Sequence, residues 1–109
     1  MDSLSALADP TRRRIVELLA VRDRTAGDLV KEFDMSAPAI SQHLNVLRSA
    51  GLVVSRAEGQ TRIQSLNGAA LDEVDSWLRR TREQWSRRLD ALERELRADD
   101  MRSQKKPSS

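Results

Sequence analysis

The chain contains no cysteine in its 109 residues. Disulfides, thiolate metal sites and thiol nucleophiles are therefore excluded together, which fits a reducing compartment. Long apolar runs are missing as well: "LLAV" at 18–21 falls far short of the roughly 20 residues that a membrane span needs. Asp2, Asp9 and the consecutive Arg12, Arg13 and Arg14 interrupt any apolar leader, so a soluble, cytoplasmic protein with no membrane association is expected. Neither charge dominates, since 19 Lys and Arg against 17 Asp and Glu leave a net charge of +2. The chain is thus no general polycation. There is one histidine, and no glycine-rich phosphate loop, HExxH or Ser/His/Asp order with an activating motif, so no catalytic site and no enzyme are expected. A chain of this length makes one small domain, part of whose apolar surface calls for a second copy.

What is present is strong helix punctuation. Asp9-Pro10 supplies an N-cap and a first helical residue that needs no N–H, and the helix it starts should run to about Val21 with Ile15, Leu18 and Leu19 on one face. Leu4 and Leu7 suggest a short helix before it. Thr25 with Asp28 three residues on starts a second helix, expected to end near Asp34. Ser36 caps a third, with Pro38 in its first turn and Gly51 at its end. Only "DMS" would then separate the second and third helices, so the pair reads as a helix-turn-helix. "LVVSRAEGQTRIQSL" follows as a β-hairpin around Glu58-Gly59-Gln60, and Ile63 and Leu66 can share a face only if it is bulged. A long helix from Asn67 to about Ala98 carries Leu71, Val74, Trp77, Leu78, Trp85, Leu89, Leu92 and Leu96, a stripe that has to be buried. Residues 99–109 are expected to be a disordered tail, leaving 1–98 as the folded domain.

The third helix, "SAPAISQHLNVLRSAGLV", divides on a helical wheel. Ile40, Leu44 and Leu47 face the domain; Pro38, Ser41, Gln42, Asn45 and Ser49 lie opposite, with Arg48 at the edge, and Ser36 and Ala37 at the start of the helix are candidate DNA contacts with them. No carboxylate occurs between Ser36 and Ala57, so an anion meets no repulsion there. Gln and Asn suit the adenine edge in the major groove, Ser donates or accepts, and Ala or Pro can touch a thymine methyl. Arg56 and Arg62 flank the hairpin turn and are candidates to grip phosphates or the minor groove. The competing readings are an unliganded polar face and two solvated arginines. Arg12, Arg13 and Arg14 likewise read as a solvated face or as phosphate contacts.

"ALADPTRRRIVELLA", "TAGDLVKEFDMSAPAISQHLNVLRSAGLV", "EGQTRIQSLN" and "WLRRTREQWSRRLDALERELR" together resemble the ArsR/SmtB family of winged helix-turn-helix repressors, over about residues 4–97. The last stretch is similar to a metal-independent branch with W-L-x(6)-W-x-x-R-L-D in its C-terminal helix. Many relatives carry tyrosine where this chain has Gln64. The resemblance implies a mainly α (α+β) winged fold and dimeric, autoregulatory repressors that set the third helix in the major groove of an inverted-repeat operator in double-stranded DNA. Leu4, Leu7 and the long-helix stripe would then form the homodimer interface. It also favours a DNA contact for His43, whose position at the border of the apolar face equally suits a half-buried ring bonded to backbone. A metal site is not expected, because one His without Cys cannot anchor zinc, and no cofactor is. A protein-interaction module using the long helix, or an effector-gated sensor, would share these features.

Overall fold

The computed structural model describes residues 2–104. In chain order its elements are α1 (Ser3–Leu7), α2 (Pro10–Val21), β1 (Arg24–Thr25), α3 (Ala26–Val30), α4 (Ala37–Ser49), β2 (Val53–Glu58), β3 (Thr61–Leu66) and α5 (Gly68–Gln104). The chain divides into two compact units, residues 1–74 and 75–109. The first is a mainly helical winged helix-turn-helix with a small antiparallel sheet, as expected.

Capping chemistry sets the helix starts. The Asp9 carboxylate accepts from the Arg12 N–H at 3.0 Å with Pro10 next to it. Thr25 and Asp28 complete a reciprocal capping box, at 3.0 and 3.2 Å. Ser36 Oγ accepts from the Ala39 N–H at 3.3 Å. Caps of this kind each stabilise by about 1 kcal/mol. At the other end of α4, Gly51 adopts φ +79°, while the Leu52 N–H donates to the Leu47 carbonyl and the Gly51 N–H to the Arg48 carbonyl, both at 3.0 Å. This Schellman geometry needs a residue free of Cβ strain. Asn67 then ties the start of α5 to this joint, donating from Nδ2 to the Gly51 carbonyl at 2.9 Å.

α3 stops at Val30 and not near Asp34. The Glu32 and Phe33 N–H groups donate to carbonyls three residues back, at 3.0 and 3.2 Å, so the chain tightens into a turn. The connection to α4 is therefore residues 31–36, longer than "DMS", and it delivers Phe33 and Met35 to the core. That core is built from Ile15, Leu18 and Leu19 of α2, Leu29 of α3, and Ile40, Leu44 and Leu47 of α4, all buried. α1 joins it through Ala6, which is fully buried. Arg12 holds α1 in place, donating from Nε to the Ala6 carbonyl at 2.6 Å and from Nη2 to the Ser5 carbonyl at 3.4 Å. Its role is thus to bond helix-end carbonyls, not to lie in a solvated face. Leu7 and Leu71, expected at a dimer interface, are partly buried against this core.

The sheet has the order β1-β3-β2, antiparallel throughout. Pairing of the hairpin is continuous from Val53↔Leu66 to Glu58↔Thr61, so there is no bulge. Gly59, at φ +64°, is the first of two loop residues, where a two-residue hairpin turn requires positive φ. Ile63 and Leu66 lie on opposite faces, and the core-side position next to Leu66 is taken by Gln64. β1, a two-residue strand pairing with Ile63 and Gln64, is too short to announce itself by periodicity. Its Arg24 is buried, with Nε donating to the Leu18 carbonyl at 3.2 Å.

From Asp75 onward the second unit is helical through Gln104. The helix continues past Ala98 through residues 99–104, part of the expected tail; no Gly or Pro interrupts it, and Arg102 pairs with Asp99 at 3.6 Å. Residues 105–109 of that tail lie outside the described residues. Arg79–Asp75 and Arg97–Glu93 add i,i+4 pairs at 2.7 and 3.4 Å. Trp77, Leu78, Trp85, Leu89, Leu92 and Leu96 are all exposed in the single chain. Among the described residues no helix is long and apolar enough to cross a membrane.

Candidate nucleic-acid interface

The apolar edge of α4 is consumed by the core, which fixes what its other edge shows. Ser36, Ala37, Pro38, Ser41, Gln42 and Asn45 are exposed, and Arg48 is partly buried at the border. The surface is polar, uncharged and small until Arg48.

One face of the wing turns toward α4. Residues directly opposite in an antiparallel pair share a face, and the pairs Ser55↔Gln64 and Ala57↔Arg62 put Gln64, Ser55 and Arg62 together. Gln64, only 3 % exposed, accepts on Oε1 from Arg48 Nη1 at 2.9 Å and donates from Nε2 to Ser55 Oγ at 3.1 Å. Ser55 Oγ also accepts from Arg62 Nε at 3.2 Å. Arg48 Nη2 donates in turn to Asn45 Oδ1. A continuous polar chain therefore runs from α4 through the middle strand of the sheet to the arginine near the wing tip. It borders a cleft of about 550 Å³ between α4, the start of α3 and the hairpin, lined among others by Ser41, Arg48 and Arg62. Every described residue lining it is neutral or basic.

Arg56 belongs elsewhere. Its pairing with Ile63 places it on the other face of the wing, where Nη1 bonds Asp23 Oδ2 at 3.0 Å and Ser65 Oγ at 2.8 Å and Nη2 lies 3.7 Å from Glu58. The hydrogen bond from Arg56, followed by one from the Ser65 side chain, holds the Asp23 carboxyl below its ordinary range. The two wing arginines, alike in sequence, are thus separated, and Arg62 alone is brought to α4.

His43 is half-buried on the flank of α4, with Nδ1 3.8 Å from Asp9 Oδ2 at the N-cap of α2. Asp9 is held below its ordinary value chiefly by the Arg12 N–H, with His43 and Arg12 adding to the effect. The ring thus faces a carboxylate of the neighbouring helix, a partner that wheel arithmetic does not identify. Gln64 and Ser55 were also missed as site residues. Counting back by two from Leu66 would have put Gln64 on the inner face. Among the described residues, no three His, Cys, Asp or Glu side chains gather as a set able to hold a metal ion.

The chain matches the family model described as "Bacterial regulatory protein, arsR family" over residues 9–55, which span α2 through the start of β2. It is 42% identical over 73 residues to the transcriptional repressor SdpR of Bacillus subtilis (strain 168), covering 67% of this chain and 81% of that protein. It is 35% identical over 72 residues to the arsenical resistance operon repressor of Staphylococcus xylosus, covering 66% of this chain and 69% of that one. Among solved structures, an ArsR-like transcriptional regulator from Rhodococcus sp. RHA1 superposes with a TM-score of 0.74 at 35% identity, over 84% of this chain and 86% of that one. With the α4 surface, the capped helix pair and the wing in agreement, the chain belongs to the ArsR family of winged helix-turn-helix, DNA-binding transcription regulators.

Proposed function

We propose that this protein is a homodimeric, sequence-specific repressor that acts in the cytoplasm on an inverted-repeat operator, reading bases with α4 and closing the contact with the wing. The observation that carries the reading is the uncharged polar face of α4, Ser36 to Asn45, which continues into a cleft flanked by Arg48 and Arg62 and lined by neutral or basic residues. Gln42 has the donor and acceptor for a bidentate base contact. Ser36, Ala37, Pro38 and Ser41 fit the groove floor and the phosphates beside the helix N-terminus. Arg62 supplies the phosphate term and Arg48 adds positive charge beside the reading face, and so few cations give modest nonspecific affinity. Arg56 and His43 are assigned secondary parts, because each already faces a carboxylate.

Dimerisation is inferred from the exposed stripe of α5, whose two tryptophans have the character of interface anchors. Two recognition helices must meet successive major grooves about 34 Å apart. The W-L-x(6)-W-x-x-R-L-D pattern of α5, together with the lack of thiol ligands, supports an assignment to the branch of the family that works without a bound metal. Electrophoretic shift with genomic fragments, followed by selection of bound duplexes from a random pool, tests the reading. An enriched palindrome supports it. Failure to retain any duplex, with the α5 stripe pairing to a different helical protein, would replace it by a protein-interaction module.

A further inference from the structure

Resting on α4 as the base-reading helix, we infer that a buried residue of the wing, Gln64, dictates which base Asn45 accepts. Adenine in the major groove offers one acceptor, N7, and one donor, N6, and an asparagine reads it with its amide nitrogen and oxygen together. Here the oxygen is engaged: Arg48 Nη2 donates to Asn45 Oδ1. A second lone pair remains on that oxygen, but an adenine amino group approaching it would meet the guanidinium. What Asn45 and Arg48 offer jointly is donors. Guanine, with acceptors at both N7 and O6, is the base that matches, and adenine is the base refused.

Arg48 alone would be free to swing away to a phosphate. Gln64 prevents this by accepting from its Nη1 at 2.9 Å, and Gln64 is itself held, 3 % exposed and donating to Ser55 Oγ at 3.1 Å. Among the described residues no buried side-chain polar atom lacks a partner, and releasing Arg48 would take from the Gln64 oxygen its protein donor, which opposes release. Gln64 is accordingly a positioning residue. It touches no base and acts through Arg48 on Asn45.

The experiment is duplex selection from a random pool with the full-length chain and four variants. Asn45→Ala identifies the operator position by relaxing its preference. At that position the wild type should favour guanine over adenine by about tenfold, the usual scale for a single mismatched pair. Arg48→Met should free the amide and move the preference to adenine. Gln64→Met should do the same while leaving the positions read by Gln42 unchanged, whereas Gln64→Glu, which still accepts from Arg48, should retain guanine. A variant that merely damaged the fold would weaken all positions alike, and circular dichroism melting checks for it. Adenine at the Asn45 position in the wild type, or guanine persisting in Arg48→Met, overturns the inference. So does an Asn45→Ala variant with an unaltered site, which leaves DNA recognition by the rest of α4 standing. A wild type that enriches no sequence removes the proposed function itself, a result distinct from all of these.

Discussion

Replacing Trp85 and Leu89 together by alanine tests whether α5 holds two copies together. In the single chain Trp85 is 52 % exposed and Leu89 41 %. An aromatic side chain of this size brings about 200 Å² to an interface, so about 100 Å² of Trp85 is left to cover. At about 25 cal/mol per Å² that is worth about 2.5 kcal/mol, and the uncovered part of a leucine adds about 1 kcal/mol. Twofold symmetry doubles both contributions, giving an upper bound of about 7 kcal/mol per dimer. The ordering of side chains on association reduces this. Even half of it raises the dimer dissociation constant by roughly a few hundredfold. Sedimentation equilibrium at low micromolar concentration should therefore find the wild type dimeric and the double variant monomeric, with operator binding lost as the paired helices part. Because both side chains lie outside the core of the first unit, its melting transition should persist. A double variant that remains dimeric, or a wild-type monomer that binds operator at full strength, would refute the reasoning.

Other expected outcomes concern the reading face, metals and acid. Gln42→Ala should cost about 1 to 3 kcal/mol at one operator position, while Arg62→Ala weakens all sequences alike and lowers the salt slope by about one. Arg56→Ala, removing a side chain already bonded to Asp23, should leave that slope nearly unchanged; fluorescence anisotropy across a salt series separates the three. Micromolar zinc, cadmium or arsenite should not release the protein from DNA, since the chain has no thiol to capture them; dissociation with a stoichiometric bound ion would contradict this. Asp9 is held below its ordinary value of 3.8, so its stabilising effect is complete above that pH and is lost as pH falls through the folded-state value. Asp9→Asn keeps a good N-cap without the charge and should show a shallower loss of melting temperature between pH 6 and pH 3 than the wild type.

Most of the architecture was legible because local chemistry and global packing agree. The Asp9, Thr25 and Ser36 caps, the Gly51 stop and the Ile40, Leu44, Leu47 edge each follow from side-chain chemistry within a few residues, and each is observed. Errors arose where a distant partner decides. α3 ends early because Phe33 and Met35 turn toward a core that wheel arithmetic does not contain. β1 exists only because β3 is there to receive it. Arg56 and Arg62 look equivalent along the chain, and only strand register, fixed by the two-residue turn at Gly59, divides them between faces. The exposed polar edge of α4 was readable from periodicity, whereas the Asn45, Arg48, Gln64, Ser55 chain needs atoms 16 residues apart in sequence to be adjacent.

The brevity of β1 gives the wing two mechanical regimes. Arg24 and Thr25 clamp β3 only at Gln64 and Ile63, so the middle of β3 has a strand on both sides while Thr61, Arg62 and the turn are held by β2 alone. Amide exchange should accordingly be slow at Gln64 and fast from Gly59 to Arg62. Arg62 sits one residue beyond the clamp. Its charge rides on a compliant tip, which under the proposed function would follow a groove of variable width, while the clamped middle of β3 keeps Gln64, and through it Arg48 of α4, in fixed register.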